Sequence, residues 1–436
     1  MAEQPRSGGL LNIIGPGILV AATGVGAGDL ATAAFAGSRL HLAVLWVVPL
    51  GALLKFVLNE GLARWQLSTG TTLLEGGTTH LGRLVQFVFL AYLLLWSFFV
   101  GSALMSACGA TAHAILPLFN PKADRVVYGL LHSLVAVILV RRGGYRLFER
   151  VMAVCIAVMV LTVIVTVIAT RPDWGAVASG LFIPRINTAD PEALRWSIAL
   201  MGGVGGTLTV LCYGYWIREE GWQGREQLRT CRIDLATGYA MTALFGVGMV
   251  ILGNGISFAK KESSTRLIVL LAEHLETALG SFGPYAKWAF LVGSWGAVAS
   301  SLLGVWQSVP YLFADFRRLT SRSRTTTSQQ TTALTEQDQQ SSSGLTATTA
   351  YRRYLYGLAC IPALGLWFDF RQVQKYYAII GAAFIPLLAI VLLVLNGRWG
   401  HLPREDRNSW LTDTVLIVAI LFSAIAGWYE VAPRFQ

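Results

Sequence analysis

The chain has 436 residues, of which 54% are hydrophobic and only 13% charged, with a mean hydropathy of +0.55. A soluble globular domain rarely joins so much apolar content to so few charges, so the composition argues for an all-α, multi-pass membrane protein surrounded by lipid. The formal charge of +10 then reads as an orientation signal, and no nucleic-acid partner is expected.

The opening MAEQPRSGG is polar and lacks the charged, apolar, small-residue order of a cleavable signal, so the first apolar segment is expected to stay in the mature protein. A helix needs about 20 apolar residues to cross the hydrocarbon core, and by that measure about eleven spans are expected. They lie near residues 13–38, 42–62, 84–106, 124–141, 149–170, 195–217, 233–256, 286–309, 354–369, 375–396 and 410–429. Trp46, Trp196, Trp216, Tyr354, Tyr376, Trp410 and Trp428 fall near span ends, as interfacial anchors do. With a cytoplasmic N-terminus, inner loops collect roughly 20 Lys and Arg against roughly 13 outside, which places the C-terminus outside and fits a plasma (inner) membrane.

The first span is interrupted by GVGAGDLAT, residues 24–32. A carboxylate deep in a span costs several kcal/mol unless it has partners, so Asp29 is a site hypothesis by default. Gly24, Gly26 and Gly28 let the chain leave helical geometry, which a bilayer tolerates where the freed groups line a cavity. Asp29 then falls near the start of a second half-helix, as a ligand or as a cap on its N–H groups. The second span carries Lys55, Asn59 and Glu60. Lys55 either pairs with Glu60 near the cytoplasmic end or reaches the cavity as a fixed positive charge in place of a coupling ion. In the fourth span His132 is a hydrogen-bonded core histidine or a proton carrier.

The sixth span repeats the interruption in MGGVGGTLT, residues 201–209, with glycines at 202, 203, 205 and 206. Two glycine-broken segments at corresponding places in two halves point to a secondary transporter of inverted repeats with its site at the midplane. Close helix packing is the other use of such glycines. Gly203, Gly206 and Thr207 are therefore substrate-site candidates beside Gly24, Gly26, Gly28 and Asp29. Tyr213 follows the second break and either lines the path or packs. Asn254 in the seventh span and Gln307 in the eighth are further intramembrane polar candidates.

Residues 319–350 are rich in Ser, Thr and Gln and are expected to form a disordered cytoplasmic loop. RLIVLLAEHLETALG (266–280) has one apolar face and fits an amphipathic helix lying on the bundle. The chain reads as one transmembrane domain: a first five-helix repeat over 13–170, a second over 195–396, and an extra helix at 410–429. Five scattered cysteines show no metal-ligand spacing. No HExxH, GxSxG or paired intramembrane aspartates occur, so an enzyme is not expected.

GPGILVAATGVGAGDLATAAFAGSRL (15–40) resembles the first span of the Nramp family of divalent-metal transporters, which runs GPG, a DPGN break and an alanine-rich half-helix ending in AGSR. LLEG (73–76), GGYRLFERVMAV (143–154) and PDWGAVASGLFIP (172–184) continue the likeness. The resemblance implies a LeuT-like fold, with ten helices in two inverted halves, broken helices 1 and 6, and one extra C-terminal span. The site departs from the family pattern. Gly26, Ala27, Gly28 and Asp29 stand on DPGN, and Gly206, Thr207 and Leu208 fall near the sixth-span MPH. The third span (LLLWSFFVG, 93–101) has no acid where the family carries residues linked to proton movement, and the tenth-span glutamine maps near Ile379.

Thioether sulfur favours soft or borderline metals and oxygen favours Mg²⁺, Ca²⁺ and Mn²⁺, so the expected solute is a hard divalent cation such as Mg²⁺ or Mn²⁺ held by Asp29, moved without proton coupling. The alternative is a small organic or anionic solute, amino-acid-like, cradled by the N–H groups of the glycine breaks, with Asp29 binding an ammonium group or Na⁺. No cofactor is expected beyond a bound divalent cation or Na⁺.

Overall fold

The computed structural model describes residues 15–142, 145–186, 191–256, 266–325 and 342–431 and is helical, with no strand among the described residues. The first apolar segment folds as α1 (Pro16–Gly24), a π-helical turn (Ala27–Thr32) and α2 (Ala33–Leu40). Pro16 occupies the start of α1, where a missing N–H costs nothing. The chain then bends by 106° into α3 (Val47–Thr69). Gly70 ends α3 in the left-handed conformation at φ 72°. Thr72 and Glu75 start α4 (Leu73–His80) as a T-x-x-E cap, the Thr72 hydroxyl accepting from the Glu75 N–H at 3.2 Å. The first half continues through α5 (Gly82–Ile115), α6 (Pro121–Arg142) and α7 (Tyr145–Thr170). The short α8 (Trp174–Phe182) follows, capped by Asp173.

The sixth span repeats the interruption, as α9 (Pro191–Gly203), a 3₁₀ turn (Leu208–Cys212) and α10 (Tyr213–Glu219). After it come α11 (Leu228–Asn254), α12 (Leu267–Ala278) and the long α13 (Gly283–Thr325). The chain ends with α14 (Ser342–Thr346), α15 (Thr349–Cys360), α16 (Phe370–Ala382), α17 (Phe384–Asn396) and α18 (Trp410–Val431). Among the described residues six helical runs are long and apolar enough to cross a membrane, or seven if the bent pair after the first break counts as one span. The remaining expected spans are present as shorter or interrupted helices: residues 354–369, for example, fall on α15 and a 3₁₀ run from Ile361 to Trp367.

Lipid gives packed helices no hydrophobic reward, so association rests on close van der Waals contact, which small residues allow. The first span runs along α11 by this device. A Cβ on Gly17 would lie 2.3 Å from the Asp234 carbonyl oxygen and one on Gly238 2.3 Å from the Gly17 carbonyl. At the other end, Gly37 meets Val250 and Gly253 meets Ala34 with the same closeness. The α9–α10 run is the most enclosed of the spans, its apolar window 94% buried. Leu84, Phe87, Leu94 and Leu95 of α5 and Leu130, Leu131 and Leu134 of α6 point outward, as a lipid-facing belt requires. Trp196 and Trp216, expected at interfaces, are instead buried in the bundle. On α12, Leu267, Ile268, Leu271 and Leu275 are buried and Glu273 and Thr277 exposed, the amphipathic arrangement expected from its sequence.

Both ends of the segment expected to be disordered, 319–325 and 342–350, are largely helical. Helix α13 continues to Thr325, and Leu345 of α14 is buried. Thr348 caps α15 by accepting from the Tyr351 N–H at 3.2 Å, and the Tyr351 hydroxyl donates to the Gln307 carbonyl at 2.9 Å. Residues 326–341 lie outside the described residues. Replacing 326–341 with a short Gly/Ser linker is expected to leave the melting temperature in detergent at the wild-type value. Extending the deletion through Thr348 removes the buried Leu345 and the α15 cap, and costs about 2 kcal/mol or more. Comparing the two deletions by thermal unfolding checks this.

Candidate functional site

The two breaks touch each other through their backbones. A Cβ on Gly24 would lie 2.5 Å from the Gly206 nitrogen, and one on Gly26 would lie 2.3 Å from the Ser301 hydroxyl of α13. Gly205 and Gly206 adopt φ of +73° and +79°, the left-handed region where a side chain is strained. These glycines thus serve close approach and helix breaking together. Gly203 ends α9, while Gly28 lies in the π turn with Asp29.

Asp29 is fully buried, and it does not cap its own half-helix. The turn carrying it has no side-chain cap, and its Oδ2 reaches the other break, accepting from the Gly205 N–H at 3.4 Å. Its Oδ1 has no hydrogen-bond partner. Tyr377 of α16 faces both Asp29 and Thr207, and Gly246 of α11 lies near Oδ1, where a Cβ would meet Val48 at 2.9 Å. Thr207 is fully buried, with its hydroxyl accepting from the Trp96 indole N–H at 2.6 Å.

Lys55 does not pair with Glu60. Its side chain is buried, and its ammonium donates to the Gly202 carbonyl at 2.6 Å and to the Val204 carbonyl. It also interacts electrostatically with Asp29. Glu60 is taken by Arg64 at 3.0 Å and Arg232 at 2.7 Å, guanidiniums that offer several directed donors to one carboxylate. The alternative expectation for Lys55, a positive charge delivered to the break, is the arrangement seen. The cause is the end of α9: carbonyls freed by the break carry the negative end of the helix dipole and attract a cation.

Other candidates lie away from this junction. Tyr213 is no part of it: its hydroxyl donates to Asp234 at 2.9 Å, and Asp234 accepts from the Gly15 and Gly17 N–H groups at 3.0 and 2.7 Å. Tyr213 therefore helps hold the start of α1. Asn59 donates to the Tyr239 hydroxyl at 3.2 Å, and Tyr239 in turn packs beside Gly205. His132 is a half-buried, hydrogen-bonded histidine, Nδ1 donating to the Tyr128 carbonyl at 2.7 Å and Nε2 accepting from the Trp295 indole at 2.7 Å. Asn254 meets His41 at 3.0 Å beside the bend that follows α2. The Gln307 carbonyl receives Tyr351, while its Oε1 is buried without a partner. Trp96, Tyr239 and Tyr377 face the breaks and were not singled out from the sequence. A lone aromatic inside an apolar span has no pattern that marks it.

Every donor atom at the junction is oxygen. Asp29, the Gly202 and Val204 carbonyls and the Thr207 hydroxyl offer a hard cation suitable ligands, while Met201 packs toward Gly51 of α3. Among the described residues no group of three or more His, Cys, Asp or Glu could hold a metal.

Two helices broken at corresponding positions and joined at their breaks define the LeuT-like class of membrane-transporter fold. Within that class the chain belongs to the Nramp family: the model described as "Natural resistance-associated macrophage protein-like" matches residues 17–432. The divalent metal cation transporter MntH of Bacillus subtilis is 23% identical over 289 residues, covering 63% of this chain and 63% of that protein. Metal transporter Nramp1 of Oryza sativa subsp. japonica is 28% identical over 204 residues, covering 47% and 38%. The chain thus matches less than two thirds of the length of either relative. Among solved structures, the Eremococcus coleocola manganese transporter in complex with an aromatic bis-isothiourea substituted compound has a TM-score of 0.70 at 16% identity, covering 100% of this chain and 90% of that one. MhsT in complex with L-phenylalanine has a TM-score of 0.53 at 13% identity, covering 98% of both chains.

The clamp at the start of α1 yields a prediction. Asp234→Ala strands two backbone N–H groups and the Tyr213 hydroxyl, and is expected to cost about 2 kcal/mol, against about 1 kcal/mol for Tyr213→Phe. Thermal unfolding in detergent measures both, and a wild-type melting temperature for Tyr213→Phe would return that residue to the list of solute contacts.

Proposed function

We propose that the chain is an integral-membrane secondary transporter that moves a hard divalent cation, Mg²⁺ or Mn²⁺, by alternating access at the junction of its broken spans, without proton coupling. Asp29 carries this reading: a fully buried carboxylate with one oxygen unpartnered, set against carbonyls freed from the other half. Family membership and the metal-transporter names of the relatives support a divalent solute. The oxygen donors at the break, carboxylate, carbonyl and hydroxyl, support a hard one. The absence of any Asp or Glu along α5 supports transport without a proton. The Lys and Arg asymmetry supports a cytoplasmic N-terminus in a plasma membrane.

The deciding experiment is uptake into proteoliposomes from a panel of Mg²⁺, Mn²⁺, Ca²⁺ and several amino acids, with and without pH and Na⁺ gradients. Divalent uptake is expected, with no lumenal acidification and no accumulation driven by pH alone. Asp29→Asn and Asp29→Ala are both expected to abolish it, because a neutral amide replaces a carboxylate poorly as a cation ligand. Uptake of an amino acid in place of any divalent ion overturns the assignment of solute, and pH-driven accumulation overturns the assignment of coupling.

A further inference from the structure

A lysine at the junction of two broken spans needs an account, because it stands where a transported cation would bind. The Lys55 ammonium has three N–H donors. The Gly202 and Val204 carbonyls receive two of them, and Asp29 acts on the charge electrostatically from beyond ion-pair distance. These carbonyls and that carboxylate are the ligands a hard cation would use. The side chain reaches them from α3, passing Gly205 at van der Waals distance, and is 1% exposed. A fully buried lysine with two of its three donors on carbonyls is held at the break as a cation would be.

We propose that Lys55 is a tethered counter-cation: its ammonium fills the cation position between the Gly202 and Val204 carbonyls and Asp29 while the carrier is empty, and a divalent ion enters only as it withdraws. The inference rests on the reading of a divalent solute at Asp29. Its basis is charge balance in a low-dielectric site. An unpaired buried carboxylate is costly, and so is a divalent ion placed beside an ammonium that has not moved. In a carrier without Lys55, the empty site would leave Asp29 uncompensated during reorientation, so the return step would require a coupling ion. Lys55 supplies that charge from the protein itself. The empty carrier therefore returns alone, and transport runs downhill as uniport. The affinity for the solute is reduced in proportion to the time the ammonium occupies the site.

The test compares wild type with Lys55→Gln, whose amide still donates to the carbonyls but carries no charge. Calorimetric Mn²⁺ affinity is expected to rise at least about tenfold in the variant. In proteoliposomes the variant is expected to retain Mn²⁺ exchange, with Mn²⁺ on both sides, while net uptake into Mn²⁺-free vesicles falls about tenfold, because only the empty return step has lost its compensating charge. Equal or weaker affinity, with exchange and net uptake falling together, overturns the proposal and leaves Lys55 a packing residue. Should neither Mn²⁺ nor Mg²⁺ bind wild type or variant, the divalent reading fails, and the tethered-cation inference is read on stability alone. Lys55→Ala is then expected to melt below wild type and to be restored by propylammonium or Na⁺, neither of which moves the wild-type melting temperature; no restoration by either cation overturns it.

Discussion

A carboxylate sealed from bulk solvent, Asp29, governs the centre of this molecule. Asp29 is fully enclosed, and the protein answers it with the Gly205 N–H and the ammonium of Lys55. That arrangement requires the two broken spans to meet backbone to backbone, since only then do the carbonyls of one hold a cation within the electrostatic reach of the carboxylate of the other. The glycines at 24 and 206 follow from that meeting: at either place a side chain would hold the breaks apart. Trp96 and Tyr377 close the other side through Thr207, so two further spans contribute to the enclosure of one carboxylate.

Around this centre α11 acts as a reference frame. It holds the start of α1 through Asp234 and packs tightly against α2 through Gly253 and Gly37. The first span is thus anchored at both ends and discontinuous in the middle, where a π turn replaces regular helix. Any movement of α1 away from the bundle must break the Asp234 hydrogen bonds with the Gly15 and Gly17 N–H groups and release Tyr213. The clamp and the break are separate devices, one mechanical and one chemical. Assigning Tyr213 to the first separates it from the solute contacts.

The Nramp scaffold carries here a different set of donors. Among the described residues no group of three or more His, Cys, Asp or Glu could hold a metal, and Met201 lies against Gly51 of α3 through its backbone and Cγ. The junction offers backbone carbonyls, one carboxylate and a hydroxyl, with the Lys55 ammonium on two of the carbonyls. On the proposed reading, hard-cation chemistry follows from those oxygens, and independence from protons from an α5 without Asp or Glu.

Much of this was legible in the chain itself. The spans follow from runs of apolar residues, because a bilayer demands them. The paired breaks follow from glycine runs, because few other residues let a span leave helical geometry. Asp29 follows from the cost of a carboxylate among apolar residues, and the capped starts of α4 and α8 from Thr72, Glu75 and Asp173, all of which are local signals. What tertiary structure decided was pairing. Lys55 and Glu60 are five residues apart and read as partners, yet Arg232, from a distant part of the chain, takes Glu60, and the end of α9 takes Lys55. Tyr213 stands beside the second break in sequence and clamps α1 in space. Hydrogen-bond and charge partners in a helical bundle come from whichever neighbouring helix presents the complementary atom, and one strand of letters cannot hold that information.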